Sequence, residues 1–281
     1  MRRWNAGVFF AAMLCNAAQW GVIPSDAAHV SPAEKRAFLA DICPGHESDA
    51  GCSVCPEEMP PSAQNWELRT AIFGHFQSPT SEDALVSGFG CEPHSNLMSG
   101  AYLFTKQGSS WRKVRYTAAE NADDCKKLPG SDGRDLLVCE SSDMHQGVAD
   151  WFLYLMDAGR GQSRNEDGPL QVFFGIEDSF GSCVNLADGG MTTGRIESVS
   201  FVPASTVPSV RIIVTARLGK AVLPDKAMKK CQPGREKGVT LTTVPRRYVF
   251  LLDGRKITPA RGNPPMESTV AVAPKTSYRL P

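Results

Sequence analysis

The chain has no surplus of either charge. Its 30 Lys and Arg are matched by 30 Asp and Glu, a formal net charge of zero. A general phosphate-backbone binder needs a basic excess, so the composition speaks against nucleic acid as a partner and leaves only a local patch open. Catalytic signatures are missing as well. There is no G-x-S-x-G elbow, Walker loop, H-E-x-x-H pair or Rossmann glycine pattern. After residue 28 no apolar run is long enough for a transmembrane helix, so no membrane span is expected once a leader is removed. Histidine is scarce, at five residues: His29, His46, His75, His94 and His145.

Cysteine, by contrast, is plentiful. There are nine, and Cys15 falls in the N-terminal leader, which leaves Cys43, Cys52, Cys55, Cys91, Cys125, Cys139, Cys183 and Cys231. An even set in an exported chain favours disulfides, with on the order of a hundred possible connectivities. Two pairings are set out as candidates: Cys91–Cys125, tying two units together, and Cys183–Cys231, stapling two long loops. CSVC, Cys52 to Cys55, also has the spacing of a redox pair, but Pro-rich loop surrounds it rather than a βαβ setting. Zinc is the other alternative, with CSVC joined by Cys91 and His94. Structural disulfides are the preferred reading.

Arg2 and Arg3 followed by Ala6–Leu14 (AGVFFAAML) make the n- and h-regions of a signal peptide, too short to span a bilayer. Ser25-Asp26-Ala27-Ala28 offers a small-x-small cleavage site, and Ala17 or Ala18 offers an earlier one. The expected location is therefore secreted or periplasmic. Ser31-Pro32-Ala33-Glu34 then predicts a capped helix start, closed by Cys43-Pro44-Gly45.

The remainder is built from short apolar runs between Gly- and Asp-containing turns. In a first unit AIFGHF (71–76), ALV (84–86), AYLFTK (101–106) and WRKVRY (111–116) read as strands. In a second, Arg134–Cys139, Trp151–Met156 and Val172–Ile176 do so. In a third, Ile196–Val202, Val210–Thr215 and Tyr248–Leu252 do so, with Asp253-Gly254 as a tight-hairpin signal before Arg255–Thr258. Ala84 to Leu136 and Leu103 to Leu155 are each 52 residues apart, the equal spacing that an internal repeat predicts. The fold class expected is mainly β: β-meander repeats packed as a propeller-like, possibly incomplete, array, with one short N-terminal helix. Residues 1–28 are assigned to the signal peptide and 29–65 to the helix and a Cys- and Pro-rich linker. Residues 66–258 form the β-repeat domain, in units of about 66–117, 124–177 and 195–258, and 259–281 an extended or disordered tail.

Asp83-Ala84-Leu85-Val86 after its turn, and Ser131-Asp132-Gly133-Arg134-Asp135-Leu136-Leu137-Val138, resemble the repeat of FG-GAP/VCBS-type β-propellers. In that family an Asp/Gly-rich loop precedes a DLLV-like strand and often binds calcium. The resemblance thus implies a propeller, and calcium at Asp132 and Asp135, with Glu82 and Asp83 in the first unit. Two carboxylates per loop fall short of the six to eight oxygens that calcium takes, so a plain turn is the default and no cofactor is expected.

Glu140, Asp143 and His145 follow Cys139 closely and form the candidate acid/base or metal group, read as lying on a loop. The first reading is a non-enzymatic, exported, disulfide-stabilised β-repeat protein that binds an extracellular or periplasmic protein or glycan, or has a structural role there. The alternative is an exported hydrolase with a loop-borne site near His145 and His94. Convergence of Glu140, Asp143 and His145 with His94 or His75 in one pocket would favour the second.

Overall fold

The structure is a computed structural model that describes residues 21–59, 65–91, 100–117, 121–145, 148–160, 170–179, 191–204, 209–221 and 242–264; at 143–145 and 221 only the backbone is described. The described residues are mainly β, with one helix and three antiparallel sheets, none of them closed into a barrel.

The helix α1, Pro32–Ile42, starts as its sequence dictates. Ser31 Oγ accepts from Glu34 N at 3.3 Å, and the Glu34 carboxylate accepts from Ser31 N at 3.2 Å. These two reciprocal bonds satisfy groups that a bare helix end would leave unpaired. Gly45, at φ 79°, turns the chain back after the helix ends.

The first sheet contains β1 (Ala28–His29), β2 (Gly51–Cys52), β3 (Trp66–Gly74), β4 (Asp83–Phe89), β5 (Ala101–Gln107) and β6 (Ser110–Thr117). Its order is β1-β3-β4-β5-β6, with β2 also paired to β3. The second sheet holds β7 (Cys125–Pro129), β8 (Asp135–His145), β9 (Val148–Met156) and β10 (Leu170–Asp178), each hydrogen-bonded to the next. The third repeats that simple order with β11 (Met191–Pro203), β12 (Val210–Ala221), β13 (Val244–Asp253) and β14 (Lys256–Pro259). Sequence neighbours pair antiparallel, with short turns at β5–β6, β7–β8, β8–β9, β11–β12 and β13–β14.

The inner strands of the first and second sheets carry continuous apolar runs because both faces are covered, whereas β11 and β13 of the third sheet alternate, with one face buried. Ile72, Leu85 and Leu103 from the first sheet meet Leu137, Tyr154 and Met156 from the second. The opposite face of the second sheet, with Val138, Leu155 and Phe174, packs on Ile212, Val214, Tyr248 and Phe250 of the third. Phe173 and Phe250 lie 5.0 Å apart in this layer, edge to face. The outer face of the first sheet is covered by α1, with Phe38 on Phe104 at 4.7 Å. The layers thus run helix, first sheet, second sheet, third sheet. Trp66 is fully buried, and Trp111 and Trp151 pack against the cores, so all three serve packing.

Six of the eight cysteines form three disulfides: Cys43–Cys52, Cys55–Cys91 and Cys125–Cys139. The candidate Cys91–Cys125 bridge is therefore corrected. Cys91 lies two residues past β4 and bonds Cys55, while Cys125 and Cys139 face each other across β7 and β8. CSVC is not a redox pair either, because Cys52 and Cys55 bond different partners. The same bonds consume the thiolates that the zinc set needs. Cys183, Cys231 and His94 lie outside the described residues. Beyond Thr258 the chain stays attached: Ala260 N donates to Val249 O at 2.9 Å, and the Asn263 amide bonds both the N–H and the C=O of Val249.

Candidate functional site

Turns from all three sheets meet at one end of the stack. His75 N donates to the Asp135 carboxylate at 2.8 Å, and Asp135 N donates to the His75 carbonyl at 2.8 Å, which joins the β3–β4 loop to the start of β8. Gly133, at φ 79°, shapes the β7–β8 turn beside Pro79. At Gly159, just past β9, a Cβ would run into the Phe76 carbonyl, so glycine is what lets these backbones approach. The β13–β14 hairpin, turning at Gly254 with φ 61°, brings Arg255 to the same place.

There the charged groups neutralise one another. Asp132 accepts from Arg134 Nε at 2.9 Å and from Arg255 at 2.6 Å. Asp157 pairs with Arg134 and Arg160, each at 3.4 Å, and with Arg255. Arg134 also donates to the Phe76 carbonyl at 3.0 Å. Arg160 alone of the three arginines reaches well into solvent, its side chain 61% exposed. Burial raises the Asp132 carboxyl, but the hydrogen bonds and charge of Arg134 together outweigh it and hold the carboxyl below the ordinary range.

Asp83, fully buried, organises the neighbouring loop. It accepts from Phe76 N, Gln77 N, the Gln77 amide and the Ser81 hydroxyl at 2.6–2.9 Å. Burial would raise its pKa, but the Ser81 and Gln77 donors outweigh it and the pKa is lowered. Glu82 pairs with Lys106 at 2.6 Å. His75 donates from Nδ1 to the Ser81 carbonyl. The carboxylates that the propeller resemblance assigns to calcium are thus separated. Asp132 faces two guanidinium groups, Asp135 faces His75 N and Lys127 Nζ at 3.8 Å, and Asp83 is spent on its own turn. Among the described residues no group of three or more His, Cys, Asp or Glu is arranged to hold a metal.

The acid/base candidates lie elsewhere, and not on a loop. Glu140, Asp143 and His145 all belong to β8, which continues past Cys139 in register with β9, pairing Asp143 with Asp150 and His145 with Val148. The sequence ESSDMH carries no apolar alternation, so the strand is set by pairing with β9 rather than by its own burial. Glu140 and Asp143 are three positions apart on an extended strand, so the two positions do not share a face. His75 sits beside the start of β8 and His145 ends it, about 33 Å apart along the strand at 3.3 Å per residue. His75 and His145 therefore do not converge in one pocket.

Glu140 instead meets the N-terminal segment, accepting from Val22 N at 2.9 Å. Burial pushes its carboxyl up to about 7; the Val22 N–H opposes this and the charge of Asp124 adds to it. Asp124 is raised too, by burial and then by Asp123. Sequence reading missed Asp157, Arg160 and Arg255. Each follows a strand end, where charge looks like a solvated turn; the signal was their placement at equivalent ends of β9 and β13. No family profile, curated protein or solved structure matches this chain. Chemically, the loop end offers hydrogen-bonding surface with one arginine reaching outward, and its buried charges are committed to each other.

Proposed function

We propose that the protein is exported and acts by binding an extracellular or periplasmic protein or glycan through the loop end of its sheets. Three disulfides carry the exported half of this reading, since such bonds persist in oxidising compartments and are rare in the cytosol. The binding half is supported by the ion-paired turns, which bring charged and polar side chains of β3–β4, β7–β8 and β13–β14 to one end of the stack. In this reading the three meanders are copies of one unit, stacked in propeller fashion, with α1 closing the face where a further sheet would pack. The four-stranded second and third sheets, the four-strand run β3–β6 within the six-stranded first sheet, and face-to-face burial support it. The argument from fold to function is an analogy, and the loop end is where it is tested.

The chain expressed with its own leader should be recovered outside the cytoplasm, with Cys43, Cys52, Cys55, Cys91, Cys125 and Cys139 inaccessible to alkylation before reduction. Recovery in the cytoplasm with free thiols would end the reading. The purified protein should be retained on immobilised envelope glycans or proteins, and Arg160→Glu should weaken that retention. Equal retention of this variant would remove the loop end as the surface.

A further inference from the structure

The chain from Gly21 to Ala27 forms a strap along β7, the edge strand of the second sheet. Ile23 is 4% exposed and belongs to the core between the second and third sheets. Asp26 N donates to the Cys125 carbonyl at 2.8 Å. The Asp26 carboxylate accepts from Lys127 N at 2.8 Å and pairs with Lys126 at 2.5 Å. Ser25 Oγ donates to the Asp123 carbonyl at 2.6 Å, and Val22 N donates to Glu140. Immediately afterwards β1 joins β3 through Ala28↔Ala71 and His29↔Thr70. The strap therefore crosses from the second sheet to the first. It also satisfies backbone groups that an edge strand otherwise leaves open.

The sequence contains two places where a leader can be cut, one ending at Ala17 or Ala18 and one at Ala27 or Ala28. We propose that processing occurs upstream of Val22, so that residues 22–27 stay in the mature chain as a structural strap; this rests on the exported reading above. A cut at Ala27 or Ala28 withdraws Ile23 from the core. Burial of one such side chain changes the folded-to-unfolded ratio by roughly ten- to a hundredfold. It also leaves Cys125 O and Lys127 N unpaired, and deprives Lys126 of its carboxylate. A cut at Ala17 or Ala18 incurs none of these losses.

The test is N-terminal sequencing of the exported protein made with its own leader in a secreting host. The expected product lacks the N-terminal leader and begins between about Ala18 and Val22. An exported product that begins at any later residue, Ala28 or His29 included, overturns the inference while leaving export intact. An exported chain that retains Met1 overturns it as well, because no cut has occurred. An intact chain held in the cytoplasm overturns the exported reading and this inference together.

Discussion

Replacing Glu140 by Gln should flatten the dependence of stability on pH between about 5 and 7. The folded protein holds the Glu140 proton up to about 7, against an ordinary value of 4.5. Burial is the main cause, and Asp124 adds to it. The folded state thus binds the proton more tightly than the unfolded chain, so ionisation of Glu140 opposes folding. Its contribution is fully present below about 4.5, falls as pH rises, and is gone above about 7. The difference in proton affinity corresponds to about 3 kcal/mol at about 1.4 kcal/mol per tenfold. Glu140 is half-buried, and solvent screening reduces this to about 1–2 kcal/mol. Gln keeps an oxygen to accept from Val22 N and never ionises. In urea unfolding at fixed ionic strength, the wild-type protein should lose about 1–2 kcal/mol between pH 5 and pH 8, and Glu140→Gln should lose less than half of that. Asp124 remains in the variant and shapes what slope is left. The argument fails if wild type and variant show the same slope.

Three further outcomes follow from the same geometry. Asp157→Ala leaves Arg134 and Arg255 facing each other, and should cost about 2–3 kcal/mol in denaturant unfolding, below the range for a fully buried pair because the site is partly open; a cost under about 0.5 kcal/mol would show the network to be dispensable. Calcium at millimolar concentration, or its chelation, should leave the thermal midpoint unmoved, since Asp132 and Asp135 are held by cationic side chains; a rise of several degrees with calcium would restore the propeller-type site. A peptide map without reduction should find Cys183 joined to Cys231: the other six cysteines are paired, and the 180–190 and 222–241 segments that carry these two adjoin Met191 and Ala221, which are partners at one end of β11 and β12. Free thiols at both positions would refute this.

Much of the β architecture was legible because each inner strand is a run of apolar residues closed by a turn with its own chemistry. Asp253-Gly254 is a hairpin with Gly254 at positive φ, and Ser31 with Glu34 is a capping box, both as their residue types require. What escaped was whatever is stabilised by a neighbour rather than by its own composition. CKKLP at β7 has two lysines and a proline, and buries only Cys125 and Leu128, yet it is held between β8 and the strap. Ser25-Asp26-Ala27-Ala28 satisfies a small-residue cleavage rule, and that rule does not register that Ile23 just before it is buried in the core. The polar half of β8 looked like a loop for the corresponding reason, and this misplaced the acid/base candidates.

The 52-residue offsets do not join positions that face the same way in β4 and β8. Equal 52-residue offsets match Ala84 with Leu136 and Leu103 with Leu155. In the first sheet Leu85 pairs with Leu103, and both face the second sheet. In the second sheet Val138 pairs with Leu155, and both face the third. The positions that play the same part are therefore Leu85 and Val138, 53 residues apart, while Leu103 and Leu155 remain 52 apart. A slip of one residue turns a strand over, so Ala84 lies toward α1 while Leu136 lies toward the third sheet. Continuous apolar runs hide such a slip, because a strand buried on both faces carries no alternation to mark which side is which. Had one face been solvated, polar residues at every second position would have fixed the offset at 53 for β4 and β8. The burial on both sides that makes these strands conspicuous in the sequence is also what conceals their register.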